Sequence, residues 1–116
     1  MPHIHLETTA DLVENAKVPD ILEALTLELS SHESISSKSV KAYHSLRSVW
    51  VMGEGAAPGF AHCEVAILDG RPVELRQQIA AAMMVVMRDQ FSESIGEDLV
   101  YLTLELREMD RQTYQR

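Results

Sequence analysis

The feature that most constrains the fold of this chain is the order strand, helix, strand, which its apolar pattern predicts twice. Residues 2–7 alternate apolar and polar side chains, and this two-residue period is typical of a half-buried strand. Apolar side chains then recur at helical spacing over residues 18–31, where Pro19 suits the first turn of a helix. Residues 40–52 are rich in β-branched and aromatic side chains and predict a strand with a bend or bulge.

The second half of the chain repeats this order. Residues 60–68 are apolar and β-prone, which predicts a second central strand. Pro72 then opens a long helix with one broad apolar face, which we expect to run to about Ser92. Residues 99–106 alternate again and predict a strand with one strongly apolar face, while residues 109–116 are polar and predict a tail.

Together the two halves predict an α+β fold in which two β-α-β units form a four-stranded mixed sheet. Parallel strands joined through a helix need a right-handed crossover, which places both helices on one face of the sheet. A chain of 116 residues is long enough for one domain and too short for two ordinary ones, so we expect a single domain over residues 1–116. The other sheet face must be solvated or covered, and a domain of this size gains stability from oligomerisation.

The charge of the chain argues against two classes of partner. It carries 18 acidic and 10 basic residues, a formal net charge of -8. Such a chain repels phosphate backbones and anionic lipid surfaces, so we expect neither nucleic acid nor membrane as a partner. Cys63 is the only cysteine, which excludes an intrachain disulfide framework. With no basic and apolar leader at the N-terminus, these features predict a cytoplasmic protein.

The histidines do not form a metal-binding motif in the sequence. A zinc site needs three or four convergent ligands with supporting contacts, and the spacing offers only the pair His3 and His5. We therefore expect no metal and interpret these histidines as surface or packing residues. His62 precedes Cys63, but adjacent strand residues point to opposite faces, so we interpret Cys63 as a small buried hydrophobic residue.

Pro2 is the residue with the clearest capacity for chemistry. If Met1 is removed, as a small second residue generally allows, Pro2 carries a free secondary amine on a rigid ring. An α-amine has an ordinary pKa near ~8, and burial or nearby cations lower that pKa further. The neutral amine could then act as a general base near neutral pH. If Met1 remains, the Pro2 nitrogen is a tertiary amide, and many proteins begin with Met-Pro without any such chemistry.

An ordered set of short motifs runs along the chain: Pro2-His3, Trp50-x-Met52, Gly55, Phe60-x-His62 and Gly70-Arg71-x-x-Glu74-x-Arg76-Gln77-Gln78. The set and its intervals resemble the 5-carboxymethyl-2-hydroxymuconate isomerase family of the tautomerase superfamily. The resemblance covers nearly the whole chain up to the last strand, and the final motif is the most specific. It implies a tautomerase-like fold, a homotrimer with pockets near subunit boundaries, an N-terminal proline base, and no metal or cofactor.

The resemblance also implies two positions that hold substrate carboxylates. The family has an arginine at the position of Arg71, and a guanidinium can hold a carboxylate through a bidentate pair. A solvated Arg71, or one paired with Glu74, is the alternative. The family's second cationic position falls at about Lys41, which keeps the charge but lacks the planar fork. Tyr43 and Arg47 remain alternatives for this second contact.

We therefore expect a cofactor-independent isomerase, an intramolecular oxidoreductase similar to 5-carboxymethyl-2-hydroxymuconate delta-isomerase. Pro2 would move a proton between carbons of an unsaturated keto-dicarboxylate from the catabolism of aromatic compounds. Arg71 and Lys41 would anchor its carboxylates and stabilise the charge of the dienolate. Two alternatives stay open: a tautomerase that acts on a smaller keto-acid, and a non-catalytic trimeric protein of the same fold.

Overall fold

The computed structural model describes residues 1–116, and strands and helices follow one another in the predicted order. The elements are β1 (His3–Thr9), a 3-10 helix (Val13–Lys17), α1 (Val18–Ser30), β2 (Lys41–Arg47), β3 (Gly59–Leu68), α2 (Val73–Gln90), α3 (Ser92–Gly96) and β4 (Val100–Met109). None of the helices combines the length and apolar character that crossing a membrane requires.

The four strands form one mixed sheet in the order β2-β1-β3-β4. The two outer pairs, β1 with β2 and β3 with β4, are parallel, and each is joined through a helix. The central pair, β1 with β3, is antiparallel. The predicted fold class, α+β with two β-α-β units in one four-stranded mixed sheet, is therefore confirmed.

The hydrophobic core lies between the sheet and the two long helices. Alternate residues of the strands face it, because successive strand side chains point to opposite faces. The large side chains that are fully buried include Ile4, Leu6, Val65 and Ile67 from the strands, Ile21, Leu25 and Leu29 from α1, and Ile79, Met83 and Met87 from α2. The helical spacing of the two helix sets places each on a single face, as their sequence pattern predicted.

The strand predicted over residues 40–52 is too long, because β2 ends at Arg47. Arg47 pairs with Thr9, the last residue of β1, so residues beyond it have no strand of their own chain to pair with. The following segment is uncovered, and Val49 and Val51 are 91% and 94% exposed. High β-propensity alone does not make a strand when no neighbour offers hydrogen bonds.

The last strand is longer than predicted, and the polar tail is not free. β4 stays paired with β3 up to the register pair of Leu68 and Met109. The chain then turns, with the amide of Tyr114 donating to the Asp110 carbonyl at 3.0 Å. Tyr114 packs edge-on against His3, and its hydroxyl lies 3.0 Å from His3 Nε2. The C-terminal residues 110–116 thus fold back onto the N-terminus.

The sheet face opposite the helices is polar and is not covered by the chain. His5 stacks on Tyr43 with ring centroids 4.7 Å apart. Arg47 pairs with Glu7 at 2.6 Å on the same face. Further along the sheet, an ion pair of 3.6 Å joins Arg107 of β4 to a glutamate of β3. These contacts give the face a network of charged groups in place of an apolar surface.

The burial pattern of α1 gives a direct test of the core. Leu25 is fully buried, whereas Leu27 on the same helix is 65% exposed. Leu25→Ala should lower the free energy of unfolding by about 2–5 kcal/mol, because it removes buried methyl groups and leaves a cavity. Leu27→Ala, the matched control, should change it by no more than about 0.5 kcal/mol. Urea denaturation measures both, and equal losses would contradict the packing of α1 described above.

Candidate functional site

A cavity of about 180 Å³ lies at the N-terminal end of β1. The antiparallel pairing of β1 with β3 brings the last residues of β3 to this end of the sheet, and with them the turn that leads into α2. The loop after α1 closes the other side. The lining residues are Met1, Pro2, Ser34, Ile35, Ser36, Ser39, Leu68, Arg71 and Arg111.

Pro2 is buried and lines this cavity. Its carbonyl accepts a hydrogen bond of 3.1 Å from the amide of Lys41, which fixes the start of β1 against β2. With Met1 attached, the nitrogen of Pro2 belongs to a peptide bond and carries no basic lone pair. Removal of Met1 would place a secondary amine at the wall of the cavity.

The guanidinium of Arg71 is held in place by neutral acceptors. Nε donates to Ser34 Oγ at 2.9 Å, Nη2 to the Ser34 carbonyl at 2.8 Å, and Nη1 to the Leu68 carbonyl at 3.1 Å. An arginine has five N–H groups, so two of them remain available to a ligand. Arg71 forms no ion pair with Glu74 or with any other carboxylate. The guanidinium is therefore held in one orientation, and no carboxylate neutralises its charge.

The three residues considered for a second anion contact lie at different distances along β2. Lys41 begins the strand beside the N-terminus, is exposed, and forms no ion pair. Tyr43 is further along and stacks on a histidine ring. Arg47 ends the strand and is bound by Glu7. None of the three lines the cavity, but Lys41 pairs with His3 at the end of the strand where the cavity lies.

Cations surround the N-terminal amine. Burial lowers the pKa of the Met1 amine below its ordinary value, and the charges of Arg116, Lys41 and Arg71 lower it further. The pKa of His3 is also lowered, first by burial and then by Lys41 and the N-terminal charge. A chain of net charge -8 thus places three cations around one end of its sheet. Such a site attracts anions and disfavours protonation of an amine.

Sequence reasoning missed the contribution of the C-terminal residues to the site. A second cavity of about 300 Å³ shares Met1, Leu68 and Arg111 with the first, and its remaining lining residues are Tyr114 and Arg116. The Tyr114 hydroxyl also donates to the Met1 carbonyl at 3.4 Å. Two arginines in the last six residues of an acidic chain were the one signal available in the sequence. Ser34, which orients Arg71, gave no signal there.

The other residues that carry chemistry lie apart from this site. His5 contacts Ser45 at 2.8 Å and His62 contacts Thr103 at 2.7 Å, both on the polar sheet face. No three side chains among histidine, cysteine, aspartate and glutamate come together as a set of metal ligands. Burial, with a smaller effect of a neighbouring glutamate, raises the pKa of the Cys63 thiol to about 12. Cys63 is fully buried, which agrees with its interpretation as a core residue.

The model of the family described as 5-carboxymethyl-2-hydroxymuconate isomerase matches residues 2–116. No curated protein sequence matches the chain. A crystal structure of a 5-carboxymethyl-2-hydroxymuconate isomerase from Deinococcus radiodurans R1 is similar, with a TM-score of 0.90 and 24% identity over 99% of this chain and 87% of that one. The crystal structure of a 5-carboxymethyl-2-hydroxymuconate delta-isomerase is also similar, with a TM-score of 0.84 and 12% identity over 100% of this chain and 87% of that one.

A protein described as a fused 4-OT wild type symmetric trimer gives a TM-score of 0.71 and 23% identity, over 98% of this chain and 90% of that one. At these identities the three likenesses speak to the fold. They confirm that the predicted fold is tautomerase-like, with two β-α-β units and both long helices on one face of the sheet.

The cations around the N-terminus allow a test that does not depend on any reaction. Arg116→Gln, in protein that retains Met1, should raise the pKa of the Met1 amine, because it removes a charge that disfavours the protonated form. Arg88→Gln on α2 is the control, since Arg88 also lacks an ion pair but does not affect this amine. A ¹³C NMR titration of methionine-labelled protein measures both. Identical pKa values in all three proteins would remove Arg116 from the site.

Proposed function

The chain belongs to the 5-carboxymethyl-2-hydroxymuconate isomerase family, and we propose that it moves a proton on an unsaturated keto-dicarboxylate with the N-terminal amine of Pro2 as the base. The observation that carries this proposal is the position of Pro2, which is buried and shares one cavity with Arg71. Nearby cations lower the pKa of the Met1 amine, and the Pro2 nitrogen, which would become the N-terminal amine after removal of Met1, is only one residue further along the chain.

Removal of Met1 turns the amide nitrogen of Pro2 into a secondary amine. Burial and the charges of Arg116, Lys41 and Arg71 would then act on this amine as they act on that of Met1. A lowered pKa keeps a larger fraction of the amine neutral near pH 7, and only the neutral form can accept a proton. The ring at the start of β1 restricts the direction of the lone pair, so the base is pre-oriented.

The reaction is a transfer of one proton with no net change of oxidation state. From the 2-hydroxydiene form of the substrate the Pro2 amine takes the hydroxyl proton, and from the keto form it takes a proton from the carbon next to the carbonyl; in either case the electron pair of the broken bond passes into the same dienolate. The protonated amine then returns the proton to another carbon of the same substrate, and the double bond migrates. Arg71 offers two unused N–H groups to a carboxylate or to the developing charge, and Lys41 adds a second cation.

A smaller keto-acid is the second candidate substrate. The cavity lined by Pro2 and Arg71 measures about 180 Å³, which favours a compact molecule. Met1 lines both this cavity and its neighbour of about 300 Å³, so its removal would enlarge both. The enlarged space suits the longer muconate chain, which is why we favour a muconate-type substrate. If Met1 stays in place, the third alternative holds, a protein of this fold without catalysis.

We also propose that the single domain expected over residues 1–116 assembles as a homotrimer. Val49 and Val51 are more than nine-tenths exposed on a segment that follows β2 and pairs with no strand. The outer edges of β2 and β4 carry backbone groups without partners. An apolar groove of about 410 Å³ borders β4 and is lined in part by Ile95 and Tyr101. Pairing of these surfaces between copies would cover them, and similar folds include a symmetric trimer.

The test of the base compares protein with and without Met1. Met1-free protein, made with added methionine aminopeptidase and verified by intact mass, should isomerise 5-carboxymethyl-2-hydroxymuconate without added metal. Its rate should rise with pH through the pKa of the amine, because only the neutral form is a base. Spectrophotometry of the conjugated substrate follows the reaction. Protein that keeps Met1 should fold equally well but show no activity.

Pro2→Ala, processed to a free N-terminus, should keep part of the activity, since a primary amine still accepts a proton but is less well oriented. Equal rates for the Met1-bearing and Met1-free proteins would show that Pro2 is not the base. The base would then have to be sought among Glu7, His62 and Glu105. The proposed mechanism would fail in that case, although the fold and family would stand.

The trimer has its own test. The purified protein should have the mass of three chains by size-exclusion chromatography with light scattering at micromolar concentration. Val51→Asp should shift it toward monomer, because a buried unpaired charge is costly at an interface. Leu27→Asp is the control, since Leu27 is similarly apolar and 65% exposed but lies on α1. A wild-type monomer would contradict the proposal.

A further inference from the structure

We propose that Arg111 is the residue that selects a substrate with a third carboxylate. This inference rests on the proposed function and concerns the same site. Arg111 lines both cavities at the N-terminus, the one with Pro2 and Arg71 and the one with Tyr114 and Arg116. It is therefore the guanidinium that lies where the two cavities meet.

One turn of the chain positions both guanidiniums. Arg71 belongs to the turn itself, and Arg111 is clamped to it through Asp69: Arg111 Nε donates to Asp69 Oδ1 at 2.8 Å, and Nη2 donates to the Asp69 carbonyl. Gly70 between them has a φ of 113°, which favours glycine, and a Cβ there would lie 3.2 Å from Arg111 Nη2. The turn thus leaves room for the second guanidinium next to the first.

The sheet fixes where Arg111 enters this arrangement. The amide of Asp69 donates to the Met109 carbonyl at 3.0 Å, which extends the pairing of β3 and β4 beyond Leu68. Arg111 follows two residues later, before the chain turns back toward Met1. The β3–β4 register and the contacts with Asp69 therefore hold Arg111 beside the cavity.

Arg111 has capacity to bind a further anion. Its contacts to Asp69 use two N–H groups, which leaves three of the five. The side chain is 58% exposed and that of Asp69 is 39% exposed, so a ligand can reach the pair. The charge of Arg116 acts on the N-terminal amine, and its side chain is in none of the ion pairs of the chain.

The chemistry of the proposed substrate gives this cation a purpose. A 2-hydroxymuconate has two carboxylates, one at each end of its chain, and the 5-carboxymethyl derivative has a third on a side branch. Arg71 and Lys41 are enough for two carboxylates. The branch needs a cation beside the main cavity, and Arg111 is the guanidinium placed between that cavity and the next. A substrate without the branch would leave Arg111 paired with Asp69 alone.

The experiment compares a tricarboxylate with a dicarboxylate as inert probes. Isothermal titration calorimetry of Met1-free protein should show tighter binding of tricarballylate than of glutarate. Arg111→Gln should weaken tricarballylate binding about three- to tenfold, between the values for an exposed ion pair and for a charged hydrogen bond. Glutarate binding should change less than about twofold, since Arg71 and Lys41 are intact. Arg111→Lys should restore part of the loss.

Asp69→Asn gives a change of the opposite sign. The asparagine oxygen can still accept from Arg111 Nε, but the competing negative charge is gone. Tricarballylate should therefore bind more tightly to this variant than to the wild type. If Arg111 served only to hold the C-terminal residues, Arg111→Gln would weaken both probes equally, or neither. Either result would overturn the proposal, as would equal binding of the two probes by the wild type.

Kinetics separate this inference from the proposed function. With 5-carboxymethyl-2-hydroxymuconate as substrate, Arg111→Gln should raise KM and leave kcat near the wild-type value. With 2-hydroxymuconate, neither constant should change. If the wild type turns over neither substrate but prefers tricarballylate, loss of this preference in Arg111→Gln would support the role of Arg111 and contradict the isomerase. Turnover without any effect of Arg111→Gln on the KM of the branched substrate would support the isomerase and contradict the role of Arg111.

Discussion

The antiparallel pairing of β1 with β3 is the contact on which the rest of the structure depends. It joins two β-α-β units that would each be an incomplete sheet, and it places the hydrophobic faces of both units over one core. Its register sets His3 opposite Ala66, so the start of β1 meets the end of β3. The N-terminus and the turn that carries Arg71 are thereby brought to the same end of the sheet. The site is a consequence of the pairing that closes the core.

This end of the sheet carries positive side chains, although the chain as a whole is negatively charged. The net charge of -8 keeps the rest of the surface unfavourable for anions. Around the N-terminal amine, however, Arg116, Lys41 and Arg71 add to burial in lowering the pKa. A strong base would be protonated near pH 7 and a very weak one would not abstract a carbon-bound proton, so an α-amine with a lowered pKa suits the proposed reaction. Under the proposed mechanism the catalytic form must lack Met1, because the amide bond to Met1 removes the lone pair of the Pro2 nitrogen.

The features that follow from local periodicity could be predicted from the sequence. Both long helices and three of the four strands lie close to their predicted positions, because alternation and helical spacing depend on residues that are near each other in the sequence. The end of β2 at Arg47 could not be predicted, since it depends on where β1 stops offering hydrogen bonds. The return of Tyr114 to His3 and the support of Arg71 by Ser34 were also missed. These contacts join residues far apart in the chain, and no local pattern encodes them.

The guanidiniums of Arg71 and Arg111 meet at one turn, but the first is bound by neutral acceptors and the second by a carboxylate. The partners of Arg71 are a hydroxyl and two carbonyls, which fix its direction and leave its full charge for a ligand. The partner of Arg111 is the carboxylate of Asp69, which fixes the side chain but offsets part of its charge. In the proposed function a ligand carboxylate would therefore gain more at Arg71, and this cation would govern whether an anion binds. At Arg111 the gain would be a difference between two carboxylates, which is the physical basis of the selective role proposed for this cation.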